Sequence, residues 1–320
     1  MRRPSILLPL SVVLVFSSAT ARGDVSAQRS DRGAVVKIDG KLFTEYLTKA
    51  GQSPSMWPII GPSGKAMTRS YPVGAAVDGE TSDHPHHQSL WLTHDKVSGT
   101  DFWLANVNNG KGDAGPHIAH REFVEVESQG PTARIATRND WMNGDERICE
   151  DDRTIVYGTR DNGDRWIDFT VTIHASDGDV TFGDTKEGTF AVRVADTMRV
   201  DAKLGGRIVN SEGQTNEGAW GLPARWVDYT GPVDGETVGI AMMSHPSSFR
   251  PRPRWHVRTY GLFTANPFGQ SDFPQPEVAK QGAVTIKKGD SLALRYRVLL
   301  HRGETNAAEI EQAYQEFAAE

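Results

Sequence analysis

Short runs in which apolar and polar residues alternate recur along most of the chain. The clearest run covers residues 165–174, and similar runs cover 190–194 and 292–301. A period of two sends successive side chains to opposite faces of a strand, so each run predicts a strand with one buried face. Turn sequences rich in glycine and aspartate separate the runs. This pattern is typical of antiparallel β-structure.

Two local sequences predict particular connections between elements. The apolar runs 35–38 and 41–46 flank Asp39-Gly40, a dipeptide that favours a two-residue hairpin turn. Near the C-terminus, Asn306 precedes apolar residues at helical spacing and has Glu309 three positions later, which predicts a capped helix. Strands dominate without βαβ alternation, so we expect a mostly β fold, a large antiparallel β-sandwich with one C-terminal helix.

The N-terminal sequence has the layout of an export signal. Two arginines are followed by a short apolar run at 6–16 and by small residues at 19–21. We therefore expect an exported protein, periplasmic or extracellular, with a signal peptide at 1–21, a flexible leader at 22–33 and a single β-sandwich domain at 34–320. No later segment is apolar enough to span a membrane as a helix.

Charge and cysteine content exclude two possibilities. The formal net charge of −6 argues against a nucleic-acid partner, because such a partner requires a basic face. Cys149 is the only cysteine, so the chain has no intrachain disulfide. The sequence leaves the oligomeric state open.

Histidine is concentrated in one segment, where four of the ten histidines lie between positions 84 and 94. If residues 86–92 are extended, His86 and His87 point to opposite faces, whereas His84 and His86 converge across Pro85. Imidazole serves as an acid, a base or a metal ligand. We therefore keep three interpretations: acid–base or substrate-binding chemistry, one divalent metal held by His84 and His86 with Glu80, Asp83 or His94, and a structural turn.

A second segment, 182–188, places two acids and a lysine between glycines. A partly desolvated carboxylate in such a turn is suited to general-base catalysis, and we favour Glu187 over Asp184. Lys186 would pair with an acid or bind a substrate oxygen. A solvated hairpin tip would have a similar sequence.

A third segment, 243–269, combines histidines with aromatic residues around a proline-rich turn. Sugars bind where an aromatic ring meets the apolar face of the sugar and fixed polar groups meet its hydroxyls. The candidates here are His245, Trp255, His256, Arg258, Tyr260 and Asn266. The alternative is a stiff loop with core aromatics and solvated arginines.

Several blocks of the sequence occur together in a known family. The blocks are Asp83-His84-Pro85-His86-His87-Gln88-Ser89-Leu90-Trp91, Asp101-Phe102-Trp103, Asp184-Thr185-Lys186-Glu187-Gly188, Trp226-Val227-Asp228-Tyr229, Trp255-His256-Val257-Arg258 and Asn266-Pro267-Phe268-Gly269. In this order they resemble the PmoA-like family of exported bacterial proteins, formally a family of unknown function (DUF6807). The resemblance implies a galactose-mutarotase-like supersandwich and a role in sugar metabolism. In mutarotase-like enzymes a histidine acid and a carboxylate base act on the sugar, roles for which His86 and Glu187 are the hypothesis here.

These observations give one leading functional hypothesis, an exported protein that performs acid–base chemistry on a sugar as an epimerase, lyase or hydrolase. The catalytic candidates are His84, His86, His87, Glu187 and His256. The candidates for substrate binding are Trp91, His94, Lys186, His245, Arg258, Tyr260 and Asn266. One alternative is a non-catalytic glycan-binding module that depends on Trp255 or Tyr260. The other is a metal-dependent oxidoreductase or lyase that uses the cluster of His84, His86 and His87.

Overall fold

The strands pair antiparallel throughout and form two large sheets. In a computed structural model, which describes residues 23–75, 77–105, 107, 112–274 and 282–320, the strands are β1 (Val25–Ser30), β2 (Gly33–Ile38), β3 (Lys41–Ala50), β4 (Ser53–Met56), β5 (Leu90–His94), β6 (Pro116–Gln129), β7 (Thr132–Asn143), β8 (Glu146–Thr159), β9 (Arg165–His174), β10 (Val180–Phe182), β11 (Gly188–Arg193), β12 (Arg207–Asn210), β13 (Trp226–Val233), β14 (Glu236–Ser244), β15 (Arg254–Val257), β16 (Leu262–Asn266), β17 (Val284–Ile286) and β18 (Ser291–Arg302). One α-helix, α1 (Ala307–Ala318), follows β18. Short 3₁₀ helices cover Gly112–Ala114, Asp196–Met198, Val200–Ala202 and Asn216–Ala219.

The order of strands defines the two sheets. The first sheet has the order β1-β2-β3-β4-β5-β11-β16-β15, and the second has the order β12-β13-β14-β18-β9-β8-β7-β6. Strands β10 and β17 form a separate pair. The core lies between the large sheets: Phe190 of β11 stacks on Phe169 of β9 with ring centroids 4.6 Å apart and on Tyr296 of β18 at 5.0 Å. The predicted antiparallel sandwich is confirmed.

Local sequence explains the tightest hairpins. Asp39 and Gly40 between β2 and β3 have φ values of 50° and 74°. Asp234 and Gly235 between β13 and β14 have φ values of 50° and 83°. Two consecutive residues with positive φ are what a type I′ turn requires, and its twist matches that of the strands that it joins. The hairpin predicted around Asp39-Gly40 is confirmed.

The C-terminal helix covers the outer face of the second sheet. The side chain of Asn306 accepts hydrogen bonds from the backbone N–H groups of Ala308 and Glu309, so the predicted cap is confirmed. The buried stripe consists of Ile310, Ala313, Tyr314 and Phe317 and packs on Trp226, Met243 and Leu299. Among the described residues, no helix combines the length and apolarity needed to cross a membrane.

The N-terminal segment differs from its predicted form. Val25–Ser30 form β1 and pair with β2 in the register Val25↔Ile38, so this part of the chain is not a loose leader. Val25 is fully buried in the core. This burial and the pairing with β2 order a segment whose polar composition resembles that of a linker. The signal peptide predicted at 1–21 lies outside the described residues and stays a prediction.

The first sheet has two chemically different faces where β5, β11, β16 and β15 lie side by side. Alternate residues such as Leu90, Phe190 and Phe263 point into the core. The residues between them, such as Trp91, Ala191 and Leu262, form a separate apolar patch with Trp103. This opposite side, the outer face of the first sheet, also receives the side chains of Arg193 and His256, because each is one position out of phase with the core-facing residues.

Candidate active site

All five catalytic candidates gather over this outer face. We define the outer-face cluster as His84, His86, His87, Trp103, Lys186, Glu187, Arg193, Trp220, His256, Arg258 and Tyr260. Its members come from the turn before β5, the loop after β5, the loop before β11, β11 itself, the 3₁₀ segment after β12, and the residues that follow or end β15. Four neighbouring strands therefore bring together residues that lie up to 176 positions apart in the sequence.

The three histidines at 84–87 form one ring cluster. The N–H of His87 donates to the carbonyl oxygen of His84 at 3.0 Å, and His84 has φ of 45°, so this segment is a turn. The ring centroid of His87 lies 4.8 Å from that of His84 and 4.4 Å from that of His86. The expectation that His86 and His87 point apart on a strand is wrong, because β5 begins only at Leu90.

Two buried arginines hold this turn in place through Asp83. The side chains of Arg69 and Arg193 are fully buried, and both donate to Oδ1 of Asp83. Arg69 also donates to the carbonyl oxygen of His84 at 3.1 Å. Burial alone would raise the pKa of Asp83, but Arg193, His84 and Arg69 together lower it to about 2. Asp83 is therefore a permanent anion at the base of the turn.

Burial and neighbouring charges lower the pKa values of two cluster histidines, His86 and His87. Nη1 of Arg193 faces Nδ1 of His87 at 3.2 Å, and a guanidinium can only donate, so Nδ1 of His87 accepts. Burial, with the neighbouring His86 and Arg193, lowers the pKa of His87 well below its usual range. Burial, followed by the charge of His84, lowers the pKa of His86 to about 4.

His256 has one satisfied and one unsatisfied ring nitrogen. Nδ1 donates to the carbonyl oxygen of Lys186 at 2.8 Å, which leaves Nε2 as an acceptor in the neutral ring. That atom is buried and has no hydrogen-bond partner among the described residues. Burial lowers the pKa of His256 to about 4. The nitrogen is thus a free base held in a fixed orientation.

The loop that carries Glu187 is anchored from several sides. Asn266 donates to the carbonyl oxygen of Thr185 at 2.9 Å, and the carboxylate of Asp184 accepts from three backbone N–H groups. The carboxylate of Asp184 therefore has a structural role. Glu187 instead pairs with Lys186, and its side chain stays partly exposed. That Glu187 rather than Asp184 acts as a base stays a prediction.

The loops around 84, 187 and 256 do meet in space. Burial has the largest effect on the pKa values of His86, His256 and Tyr260, and the charge of Glu187 acts on all three. The ring of Tyr260 stacks on His84 with centroids 5.1 Å apart. Glu187 thus lies near residues of two other segments, 84–87 and 256–260.

Five buried polar atoms around the cluster lack a partner. Within the described residues they are Nδ1 of His86, Nε1 of Trp103, Nε of Arg193, Nε1 of Trp220 and Nε2 of His256. Buried polar groups in folded proteins are almost always hydrogen-bonded, and each exception needs an explanation. Five exceptions on one side of one sheet are explained together if a polar ligand or ordered water occupies the space between them.

Some predicted site residues lie elsewhere. His94 points into the core, where it is fully buried, with Nε2 on the carbonyl oxygen of Gly183 at 2.9 Å and Nδ1 near Oγ1 of Thr189 at 3.2 Å. His245 lies on the second sheet against Phe317 of α1, with ring centroids 4.9 Å apart. Asn266 is fully buried and anchors the Glu187 loop. None of the three lies in the outer-face cluster.

Two predicted aromatic contacts are also internal. Trp91 is buried beneath Trp103, and its N–H donates to Oγ1 of Thr93 at 3.0 Å. Trp255 faces the core, is fully buried and donates to the carbonyl oxygen of Ala224 at 3.0 Å. Of the two residues assigned to a binding module, only Tyr260 remains partly exposed.

The metal hypothesis gains no support from the geometry. Among the described residues, no group of three or more histidine, cysteine or acidic side chains is arranged to hold a metal ion. Of the further ligands considered for His84 and His86, Glu80 accepts two backbone hydrogen bonds at 2.6 and 2.9 Å. Asp83 is held by two arginines, and His94 points into the core.

Four contributors were missed as site residues: Arg69, Trp103, Arg193 and Trp220. The sequence pattern could have identified Arg193, because this charged residue follows the apolar run 190–192 at a position that faces away from the core. Trp103 and Trp220 lie in irregular segments, where no period assigns a side chain to a face. Arg69 lies in the long loop before the histidines, and only its contact with Asp83 reveals its role.

The family comparison matches residues 33–315 to a family of unknown function (DUF6807). The chain belongs to this family. The PmoA-like label has no further support and stays a resemblance. No curated protein matches the chain.

Two solved structures resemble this one. One is a GalM/aldose epimerase homologue from C. elegans, with 9% sequence identity, coverage of 88% of this chain and 100% of that chain, and a TM-score of 0.35. The other is a polysaccharide lyase, with 12% identity, coverage of 92% of this chain and 34% of that chain, and a TM-score of 0.32. At these TM-scores the similarity carries no argument about the chemistry of this chain.

Proposed function

We propose that this family member is an exported protein whose outer-face cluster binds a carbohydrate and performs acid–base chemistry on it. The observation that carries the proposal is the set of five buried polar atoms without a partner in the outer-face cluster, which also contains Glu187. A ligand that binds these atoms must offer several hydrogen-bonding groups at once. Water alone would satisfy the same atoms, but it would not explain why they are combined with aromatic rings.

The chemistry of the cluster fits a sugar ring. Trp103, Trp220 and Arg193 offer N–H donors, and Nε2 of His256 offers an acceptor. Tyr260 is partly exposed beside them and supplies an aromatic face for the C–H side of a ring. A sugar has hydroxyl groups around its edge and an apolar face, so it matches both kinds of surface at once.

The protonation states assign the roles within the proposed reaction. Glu187 is paired with Lys186, and as a carboxylate it is the group that we assign to proton abstraction. His86 and His256 have pKa values of about 4, so at neutral pH both are uncharged. A neutral imidazole orients or polarises a substrate oxygen through hydrogen bonds, and His86 takes this part in place of a proton-donating imidazolium.

The test replaces the unsatisfied base and keeps its structural hydrogen bond. In His256→Asn the side-chain amide can still donate to the carbonyl oxygen of Lys186, but nothing replaces Nε2. Binding is followed by tryptophan fluorescence over a sugar panel, and conversion is followed by proton NMR of the anomeric signals. We expect His256→Asn and Glu187→Gln each to reduce turnover by about 10²- to 10⁴-fold.

The matched control is His174→Asn on the second sheet, where the histidine pairs with Asp152 at a partly exposed position. It should leave turnover unchanged. Turnover that survives Glu187→Gln contradicts the assigned base. Sugar binding with no conversion of any panel member contradicts the catalytic part and favours a glycan-binding module.

A further inference from the structure

We propose that Arg258 is an anion-binding residue of the outer-face cluster and that the ligand is a sugar carrying a carboxylate, such as a uronic acid residue. This inference rests on the proposed function and specifies its substrate class. The guanidinium of Arg258 lies among site residues, but no acid of the described residues forms an ion pair with it.

Aromatic rings hold the Arg258 side chain in position. Its guanidinium carbon lies 5.3 Å from the ring centre of Tyr260 and 5.6 Å from that of Trp220. Trp220 in turn lies 6.3 Å from His256, between ring centroids. The guanidinium thus lies over the rings of two cluster members. A cation–π contact supplies no hydrogen-bond acceptor, so the N–H groups of the guanidinium stay available for a ligand.

The other cations of the cluster differ from Arg258 because each has an acid partner. Arg193 pairs with Asp83 at 2.9 Å, and the supporting Arg69 also pairs with Asp83. Lys186 pairs with Glu187. No aspartate or glutamate of the described chain forms an ion pair with Arg258, and its side chain makes no hydrogen bond there. Arg258 is therefore the one cation of the outer-face cluster without an acid partner among the described residues.

An unbalanced, half-buried guanidinium predicts an anionic ligand group. A buried charge without a counter-charge is costly, and the fork of an arginine matches the two oxygens of a carboxylate. The chain carries a formal net charge of −6, so its overall field does not attract anions. A local cation among sugar-binding groups is then the feature that would select a charged sugar over a neutral one.

The experiment compares sugars that differ only in this charge. Short oligomers of galacturonate, glucuronate and mannuronate are titrated beside their methyl esters, and dissociation constants are measured by calorimetry. For the wild-type protein we expect the acid form of one series to bind about 10- to 100-fold more tightly than its ester, the range for hydrogen bonds to a charged group. A sulfated galactose oligomer tests for a general anion site.

Three variants assign the effect to Arg258. Arg258→Gln should bring the ratio of the two affinities close to one, whereas Arg258→Lys keeps the charge without the fork and should retain part of the ratio. The control is Arg252→Gln on the same proline-rich segment as Arg258. It removes an exposed arginine that pairs with Glu212 and should leave the ratio intact. Thermal unfolding of each variant shows whether the fold is retained.

The outcomes separate this inference from the proposed function. Equal binding of acid and ester by the wild-type protein, or a ratio that persists in folded Arg258→Gln, overturns the role of Arg258 while sugar binding stands. Equal binding of the sulfated and uronate oligomers overturns the assignment to carboxylates. If no oligomer binds, charged or neutral, the proposed function fails as well.

Discussion

At the scale of single residues, Asp83 determines the shape of the histidine turn. It is the counter-charge for two arginines whose side chains are fully buried, and it also accepts a hydrogen bond from Nδ1 of His84 at 2.7 Å. A charge that is removed from water needs both a partner and hydrogen bonds. The carboxylate therefore stabilises the turn and orients the first histidine of the cluster.

Replacement of this carboxylate should destabilise the fold. In Asp83→Asn the two buried guanidinium groups lose their counter-charge, and breaking a buried pair costs about 3–5 kcal/mol. We expect the lower end of that range, because the side chain of Asp83 is 40% exposed. Denaturant unfolding gives the change in the free energy of unfolding.

The control is Asp113→Asn, whose carboxylate pairs with Lys49 while both side chains are more than half exposed. Its cost should stay below about 1 kcal/mol. Equal effects of the two replacements would show that the buried arginines do not need Asp83.

At the scale of elements, the junction between the Glu187 loop and β11 is closely packed. A Cβ atom at Gly188 would lie 2.1 Å from Nδ1 of His94 on the neighbouring strand β5. Oγ1 of Thr264 on β16 donates to the carbonyl oxygen of Gly188 at 2.6 Å. The glycine thus allows β5, β11 and β16 to approach closely next to the proposed catalytic base.

Gly188→Ala should therefore separate these strands and displace Glu187. Overpacking of this kind costs about 1–3 kcal/mol, and we expect a loss of sugar affinity in addition to a lower melting temperature. Gly178→Ala is the control, because its Cβ would meet nothing within 4 Å. A Gly188→Ala protein with unchanged melting temperature and affinity would contradict the close packing.

At the scale of the whole molecule, the sandwich uses its two outer faces differently. Helix α1 covers the outer face of the second sheet with an apolar stripe, and the outer face of the first sheet carries the cluster.

The pKa values of the buried histidines are shifted in opposite directions. Burial lowers the pKa values of His86, His94 and His256 to about 4. Burial opposes the charge of His301, but Asp228 raises its pKa to about 9.

These pKa values predict a stability maximum near neutral pH. An unfolded histidine titrates near about 6.5, so as the pH falls from there towards 4 the unfolded state binds more protons at the three neutral histidines. The free energy of unfolding then decreases. The contribution of His301 is fully present below about 6.5 and is lost as the pH rises through 9. Unfolding measured across this range should show losses on both sides.

The alkaline loss can be assigned to one pair. Asp228→Asn removes the partner of His301 at 3.1 Å and should abolish the decrease above neutral pH. Asp152→Asn removes the partner of the more exposed His174 and should leave that decrease in place. A wild-type profile that is flat on the alkaline side would contradict the raised pKa of His301.

The sequence by itself determined the elements and the segments that carry chemistry. Alternation at 165–174 defined β9, Asp39-Gly40 defined a hairpin, and Asn306 defined the start of α1, because each depends on interactions between residues close in sequence. Residue type was sufficient to select His84, His86, Glu187 and His256 as candidates. The same signals were too weak for Val25–Ser30, a polar strand ordered by its pairing with β2.

Only the tertiary structure decided which candidate residues lie close together and how their pKa values are shifted. The bond from Arg193 to Asp83 joins residues 110 positions apart, and no local pattern encodes such a contact. The pairing of β5, β11, β16 and β15 placed His256 on the outer face and turned His94 and Trp255 into the core. Burial in the outer-face cluster lowers the pKa values of His86, His87 and His256, because the protonated ring loses the water that would stabilise its charge.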